Sequence, residues 1–181
     1  MKLNLITAPV MEPVTLAELK TWCKTDIDDD DMTLNRLIVA AREYCENRTG
    51  RAFLTQTWDL VLDDLFNYEI RLPRPPCQSI TPFNYIDMGG NVQPYTAFIG
   101  TTGSPARIMP NYGTPWPIYR PTIESITIRF VAGWTDPSLV PSSIVQAIET
   151  AALFWFENRG DTSVPLPSAV DDLLSRWMWE V

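Results

Sequence analysis

The stretch Thr57-Trp58-Asp59-Leu60-Val61-Leu62-Asp63 decides the fold. Its period is two. Trp58, Leu60 and Leu62 point one way, and Asp59 and Asp63 the other, which predicts a strand with an acidic solvent face. Upstream of it the strong signals have helical spacing; downstream, strand signals continue to residue 132 before helical spacing returns.

Working backwards, Leu34, Leu37, Ile38, Ala41, Tyr44 and Cys45 form one apolar stripe, which predicts a helix over about 32–48. Asn35, Arg36, Arg42, Glu43 and Glu46 fall on its opposite, solvated face. Gly50 suits the position just past its end. Further upstream, Val14-Thr15-Leu16-Ala17-Glu18-Leu19 carries a capping box, with Thr15 as N-cap and Glu18 three residues on. A short helix over about 15–25 follows. Between the two helices lies Asp26-Ile27-Asp28-Asp29-Asp30-Asp31. A calcium loop would need Gly at the sixth position and Glu at the twelfth; Asp31 and Leu37 stand there. The run reads as a solvated linker whose last acids favour the next helix N-terminus.

Working forwards, Glu69–Leu72 reads as a short strand ended by Pro73, Pro75 and Pro76. Ser79–Asp87 reads as one strand, with Met88-Gly89-Gly90-Asn91 as its turn. Further strands are expected at Val92–Tyr95, Ala97–Ile99, Arg107–Met109 and, with clear alternation, Glu124–Ala132. Residues 110–122 mix four prolines with Tyr112, Trp116 and Tyr119 and read as an irregular loop pinned across a sheet. Ile144, Ala147, Ile148, Ala151, Phe154 and Trp155 then predict a helix over about 143–158, with Ser142 and Ser143 as N-cap candidates. A last helix over about 168–178 carries Leu173, Leu174, Trp177 and Met178. The fold class is α+β: a small bundle of two N-terminal and two C-terminal helices, with a β-rich insertion at about 55–134 between them.

Composition bounds the chemistry. At roughly 150 residues per domain, 181 residues make a single domain, 1–181. The chain has no histidine, which removes Ser-His-Asp and Cys-His pairs and His metal sites. Cys23, Cys45 and Cys77 include no CxxC pair and read as reduced, mostly buried thiols. No nucleotide-binding, nucleophile-elbow or zinc-protease motif occurs. No catalytic residue, metal site or cofactor is expected. The first residues, Met1–Thr7, are too short an apolar run for a signal peptide, and no stretch reaches the length of a membrane span. The net charge of −8 sits mostly in the helical ends: residues 1–50 hold 6 basic and 9 acidic side chains, and residues 142–181 hold 2 and 6. That balance, without a basic cluster, argues against a nucleic-acid reader.

The landmarks together resemble a known family, the head–tail connector (adaptor) proteins of tailed double-stranded DNA phages, in the branch with a β-rich insertion. They are Glu12-Pro13-Val14-Thr15-Leu16-Ala17-Glu18, the acidic run before Leu34, Ala40-Ala41-Arg42-Glu43-Tyr44 and Thr49-Gly50-Arg51-Ala52. Thr55-Gln56-Thr57-Trp58, Leu72-Pro73-Arg74-Pro75-Pro76 and Ile128-Arg129-Phe130-Val131-Ala132-Gly133-Trp134 continue the set. Val140-Pro141 before Ile144, Trp155-Phe156-Glu157-Asn158-Arg159 and Pro167 complete it.

The resemblance implies a non-enzymatic virion neck protein, assembled in the host cytoplasm as a ring of twelve. The ring would sit under the portal protein, extend the DNA channel without reading sequence, and offer a platform to the next neck or tail-completion protein. It also implies that residues 55–134 supply much of the contact between subunits, and that a C-terminal segment docks on the portal. By position that segment is Leu173, Leu174, Trp177, Met178, Trp179 and Val181. Three other readings compete. They are a head-closure (stopper) or tail-completion protein, a monomeric ligand-binding module stacking on Trp116, Tyr119 and Trp134, and an enzyme using a carboxylate or Cys77.

Overall fold

The computed structural model describes residues 1–25, 28–65, 68–159 and 164–179. The chain forms two compact units, a helical one made of residues 10–54 and 134–180 and a β-rich one made of residues 1–9 and 55–133.

The helical unit holds α1 (Leu16–Cys23), α2 (Asp31–Thr49), α3 (Ser142–Glu157) and α4 (Ser168–Leu174). The capping box at α1 is formed in full. Thr15 Oγ1 accepts the Glu18 N–H, and the Glu18 carboxylate accepts the Thr15 N–H at 2.8 Å. Lys24 ends the helix in the left-handed region, at φ 53°. Leu19, Leu34, Ile38, Ala41, Cys45, Ile144, Ala147, Ile148, Ala151, Val170 and Leu174 make one buried core, as the two apolar stripes require.

Two expected solvent-facing residues are buried instead. Arg42 and Glu46 leave the solvated face of α2 because Glu12 arrives from the preceding segment. Arg42 Nε donates to Glu12 at 2.7 Å and Arg42 Nη1 to Glu46 at 2.7 Å. The other Glu46 oxygen accepts the Phe53 N–H at 2.7 Å. Burial alone would lower the Arg42 pKa; the carboxylates of Glu46 and Glu12 outweigh it and hold the guanidinium charged. The network satisfies its own polar groups, which is the condition for burying charge.

Neither Ser142 nor Ser143, the first two residues of α3, caps it. Pro141 takes the cap position, its carbonyl accepting the Ile144 N–H at 2.8 Å, and Ser143 is free to bond elsewhere. Similarly, Pro167 rather than Ser168 precedes α4, which stops at Leu174 and continues as one 3₁₀ turn, Ser175–Trp177.

The β-rich unit contains a strand that went unread in the sequence, β1 (Lys2–Thr7). It is followed by β2 (Gln56–Leu62), β3 (Ile70–Leu72), β4 (Cys77–Ile80), β5 (Phe83–Ile86), β6 (Val92–Tyr95), β7 (Phe98–Thr101), β8 (Ala106–Pro110) and β9 (Ile126–Ala132). One sheet has the order β1-β2-β9-β5-β6, with β4 also paired to β9; a second has the order β3-β8-β7.

The Asp59 side of β2, expected to face water, is not open to it. Asp59 is buried and lies opposite Arg129 of β9, whose guanidinium meets it in a fork at 2.7 and 2.8 Å. The single strand expected over Ser79–Asp87 breaks at Thr81-Pro82, since Pro82 has no N–H to give the ladder. Thr81 bridges the break, donating from both N–H and hydroxyl to the Arg129 carbonyl. The expected turn after β5 is present. Asp87 accepts the Asn91 N–H at 2.9 Å, and Gly90 takes φ 86°.

Candidate functional site

The C-terminal segment lies against the end of α2 in the helical unit. Gly50 terminates that helix at φ 68°, and its left-handed backbone turns the chain so that Arg51 faces the segment. Arg51 Nε donates to the Trp177 carbonyl at 2.6 Å, and the guanidinium sits 5.7 Å from the Trp177 ring centroid and 5.9 Å from that of Trp179. Burial lowers the Arg51 pKa, yet the two indole faces still offer its charge a favourable surface. The Trp179 N–H donates to the Thr49 carbonyl at 2.8 Å, one of the carbonyls a helix end leaves without a partner.

Trp177 is held from three sides. Its indole N–H donates to Ser143 Oγ at 2.9 Å, its ring meets Trp134 edge-on at 6.2 Å, and Arg51 covers it. Trp134 in turn packs on Phe53. On α4, Asp171 accepts Arg48 Nε at 2.7 Å, which lowers the Asp171 pKa.

The six residues expected to dock therefore differ in role. Leu174 is fully buried, and Leu173 and Trp177 pack on the core. Trp179 is half-buried, with an indole N–H that is buried and has no hydrogen-bond partner. Met178 is the exposed one, and Val181 lies outside the described residues. Arg51 and Ser143 fasten the segment; the sequence offered Ser143 as an N-cap candidate and Arg51 as part of a landmark, and neither carries a signal for this role.

Trp116 and Tyr119 belong to the β-rich unit and Trp134 to the helical one. Trp116 packs on Phe83 and Tyr95, and the Tyr119 hydroxyl accepts the Leu65 N–H at 3.1 Å, so both are spent on pinning their loop. Cys77 is buried, which pushes its thiol up to about 11, the wrong direction for a nucleophile. Asp28 and Asp31 both accept from Lys20 Nζ, at 2.8 and 2.7 Å, and Asp30 accepts from Arg159 at 3.1 Å. Asp26 and Ile27 of the acidic run lie outside the described residues. Among the described residues no cluster is arranged to hold a metal ion, and no helix is long and apolar enough to cross a membrane.

Residues 13–81 match the family model of the phage gp6-like head-tail connector proteins. The connectors are the family this chain resembles. Solved structures extend the likeness to the whole chain. A chain in the neck of the empty gene transfer agent (GTA) particle, computed with C6 symmetry, is 26% identical with a TM-score of 0.83, covering 100% of this chain and 97% of that one. A chain of the native particle's neck, computed with C12 symmetry, is 26% identical with a TM-score of 0.75 over the same shares. A chain in the virion of the native particle is 24% identical, with a TM-score of 0.83 over the same shares. No curated protein sequence matches. The connector-like α+β architecture, four helices around a β-rich insertion, is thus common to this chain and these neck proteins.

Proposed function

We propose that this chain is a structural connector of a virion neck. It assembles as a ring, extends the DNA channel below the portal and gives the next neck or tail protein its platform. The observation that carries this is the fold match over the full chain to neck proteins at 26% identity. The C12 symmetry of one matched neck supports a ring of twelve.

The finer parts of the proposal rest on chemistry. The chain works by holding and guiding, without enzymatic activity; its buried thiols and paired acids fit that role. The net charge of −8 favours passage of DNA over grip, since few cations are available to displace phosphate counterions. The segment from Leu173 to Val181 docks on the portal. Leu173, Leu174 and Trp177 fix it to the helical unit, and Met178 faces outward.

Particles made without the protein should carry filled heads with portals and no attached tails. Normal tailed particles in its absence would refute the connector role. For docking, Met178→Asp should abolish binding to portal rings in electron micrographs while leaving the unfolding temperature unchanged. Portals decorated normally by this variant would refute the docking segment.

A further inference from the structure

Within the helical unit, α1, α2 and α3 pack on one another in pairs, and α4 lies on α3 and α2. The furrow between α1 and α3 stays open. Ala17, Glu18, Trp22 and Lys24 line it from one side, and Glu149 and Leu153 of α3 from the other. Trp22 is 43% exposed. Glu149 is half-buried, and among the described residues no cation pairs with it. Burial, and after it the like charge of Glu18, raise its pKa. The capping box occupies only the Oε2 oxygen of Glu18. An apolar furrow flanked by two acids calls for an apolar occupant that carries a cation.

The outer side of α2 is such a surface. Met32, Arg36, Val39 and Glu43 recur at i, i+4, i+7 and i+11 and are all exposed, whereas Leu34, Ile38, Ala41 and Cys45 face the core. Among the described residues Arg36 has no ion-pair partner, and the Arg42 guanidinium approaches Glu43 only to 3.6 Å. The charges are spaced alike on the two surfaces. Glu18 and Lys24 are six residues apart, about 9 Å along a helix, and Arg36 and Glu43 are seven apart, about 10.5 Å. Trp22 stands between the first pair and Val39 between the second. Because α2 packs against both α1 and α3, its outer face and the open furrow point to opposite sides of the helical unit. One copy therefore cannot bring the two together by itself.

A closed ring of identical subunits needs two different surfaces on opposite sides, each complementary to the other. We infer that the outer face of α2 in one copy seats in the α1–α3 furrow of the next. Arg36 then lies between Glu149 and Glu18, Glu43 meets Lys24, and Val39 covers Trp22 and Leu153. The occupant of the furrow is a second copy of this chain. The cation relieves the repulsion between the two acids, and the exposed indole loses its contact with water. The seating rests on the ring proposed above.

The test measures the concentration for half-assembly of the full chain, on portal rings or at high concentration, by electron microscopy. Arg36→Glu and Glu149→Arg should each raise it by about tenfold or more. The double variant R36E/E149R should assemble as the unmodified chain does. So should an equimolar mixture of the two single variants, with the copies alternating, because each then presents the charge that the other's altered surface accepts. Mixing cannot cure a fault in the folding of one chain. Arg36→Glu should also leave the unfolding midpoint in place, since its side chain is exposed. Single variants that form rings normally would overturn the seating; if such rings no longer bind the next neck protein, the furrow belongs to that protein instead. Failure of the double variant or of the mixture to restore assembly would overturn it too. If the unmodified chain forms no ring under either condition, the ring itself is refuted and the seating with it.

Discussion

Arg42 donates to Glu46 at 2.7 Å, one turn further along α2, with both side chains buried. The pair is tied at one end to Glu12 and at the other to the Phe53 N–H. It fastens the chain before α1 and the chain after α2 to the same point of a helix.

Removing the cation should therefore be costly. Arg42→Met leaves two carboxylates, one fully buried, without their counter-charge, and should destabilise the protein by about 3–5 kcal/mol. Urea unfolding followed by tryptophan fluorescence measures this. A loss below about 0.5 kcal/mol, the scale of an ordinary surface change, would show that the network carries no stability.

The capping box at α1 should make part of the stability depend on pH. The Thr15 N–H and hydroxyl hold the Glu18 carboxyl below its ordinary value of 4.5. A folded pKa lowered in this way favours the folded state above the unfolded value, and the contribution is lost as pH falls through the folded one. Thr15→Ala should cost about 1 kcal/mol at pH 7. Measured by denaturant titration across acid pH, the gap between Glu18→Gln and the unmodified protein should shrink as Glu18 protonates.

Gly50 meets the C-terminal segment at very close range. A β-carbon there would lie 2.8 Å from the Trp179 carbonyl oxygen, on a backbone already at φ 68°. Gly50→Ala should cost at least about 1–2 kcal/mol from the left-handed backbone alone. It should also loosen Trp179, visible as a change in tryptophan emission before global unfolding.

The thiols offer a check on burial. Burial pushes Cys45 up to about 12 and Cys77 up to about 11. Both should resist alkylation at pH 8 in the folded protein and react fully once it is unfolded. Mass spectrometry of iodoacetamide-treated protein reads this directly; rapid labelling of Cys45 in the native state would contradict the packing of α2.

The helices were legible in the sequence because their information is local. Thr15 and Glu18 lie one turn apart, and the stripes from Leu34 to Cys45 and from Ile144 to Trp155 need no distant partner to be recognised. The strand block was legible in its period and less so in its pairing. β1 was missed because six residues acquire meaning only opposite β2, more than fifty positions away. Asp59 looked solvent-facing for the same reason: its partner Arg129 is 70 residues distant. At the C-terminal segment the tryptophans stood out by composition. Their clamp did not, because Arg51 and Ser143 are common residue types whose role comes from where the fold puts them.

One junction reaches further than its size suggests. Leu54 and Trp134 lie side by side in a parallel bridge, and the Trp134 N–H donates to the Phe53 carbonyl at 3.1 Å. The chain thus leaves the helical unit and returns to it through adjacent backbone, as an inserted domain does. Residues 55–133 are carried on a single seam, and β1 reaches them from outside it to complete their larger sheet.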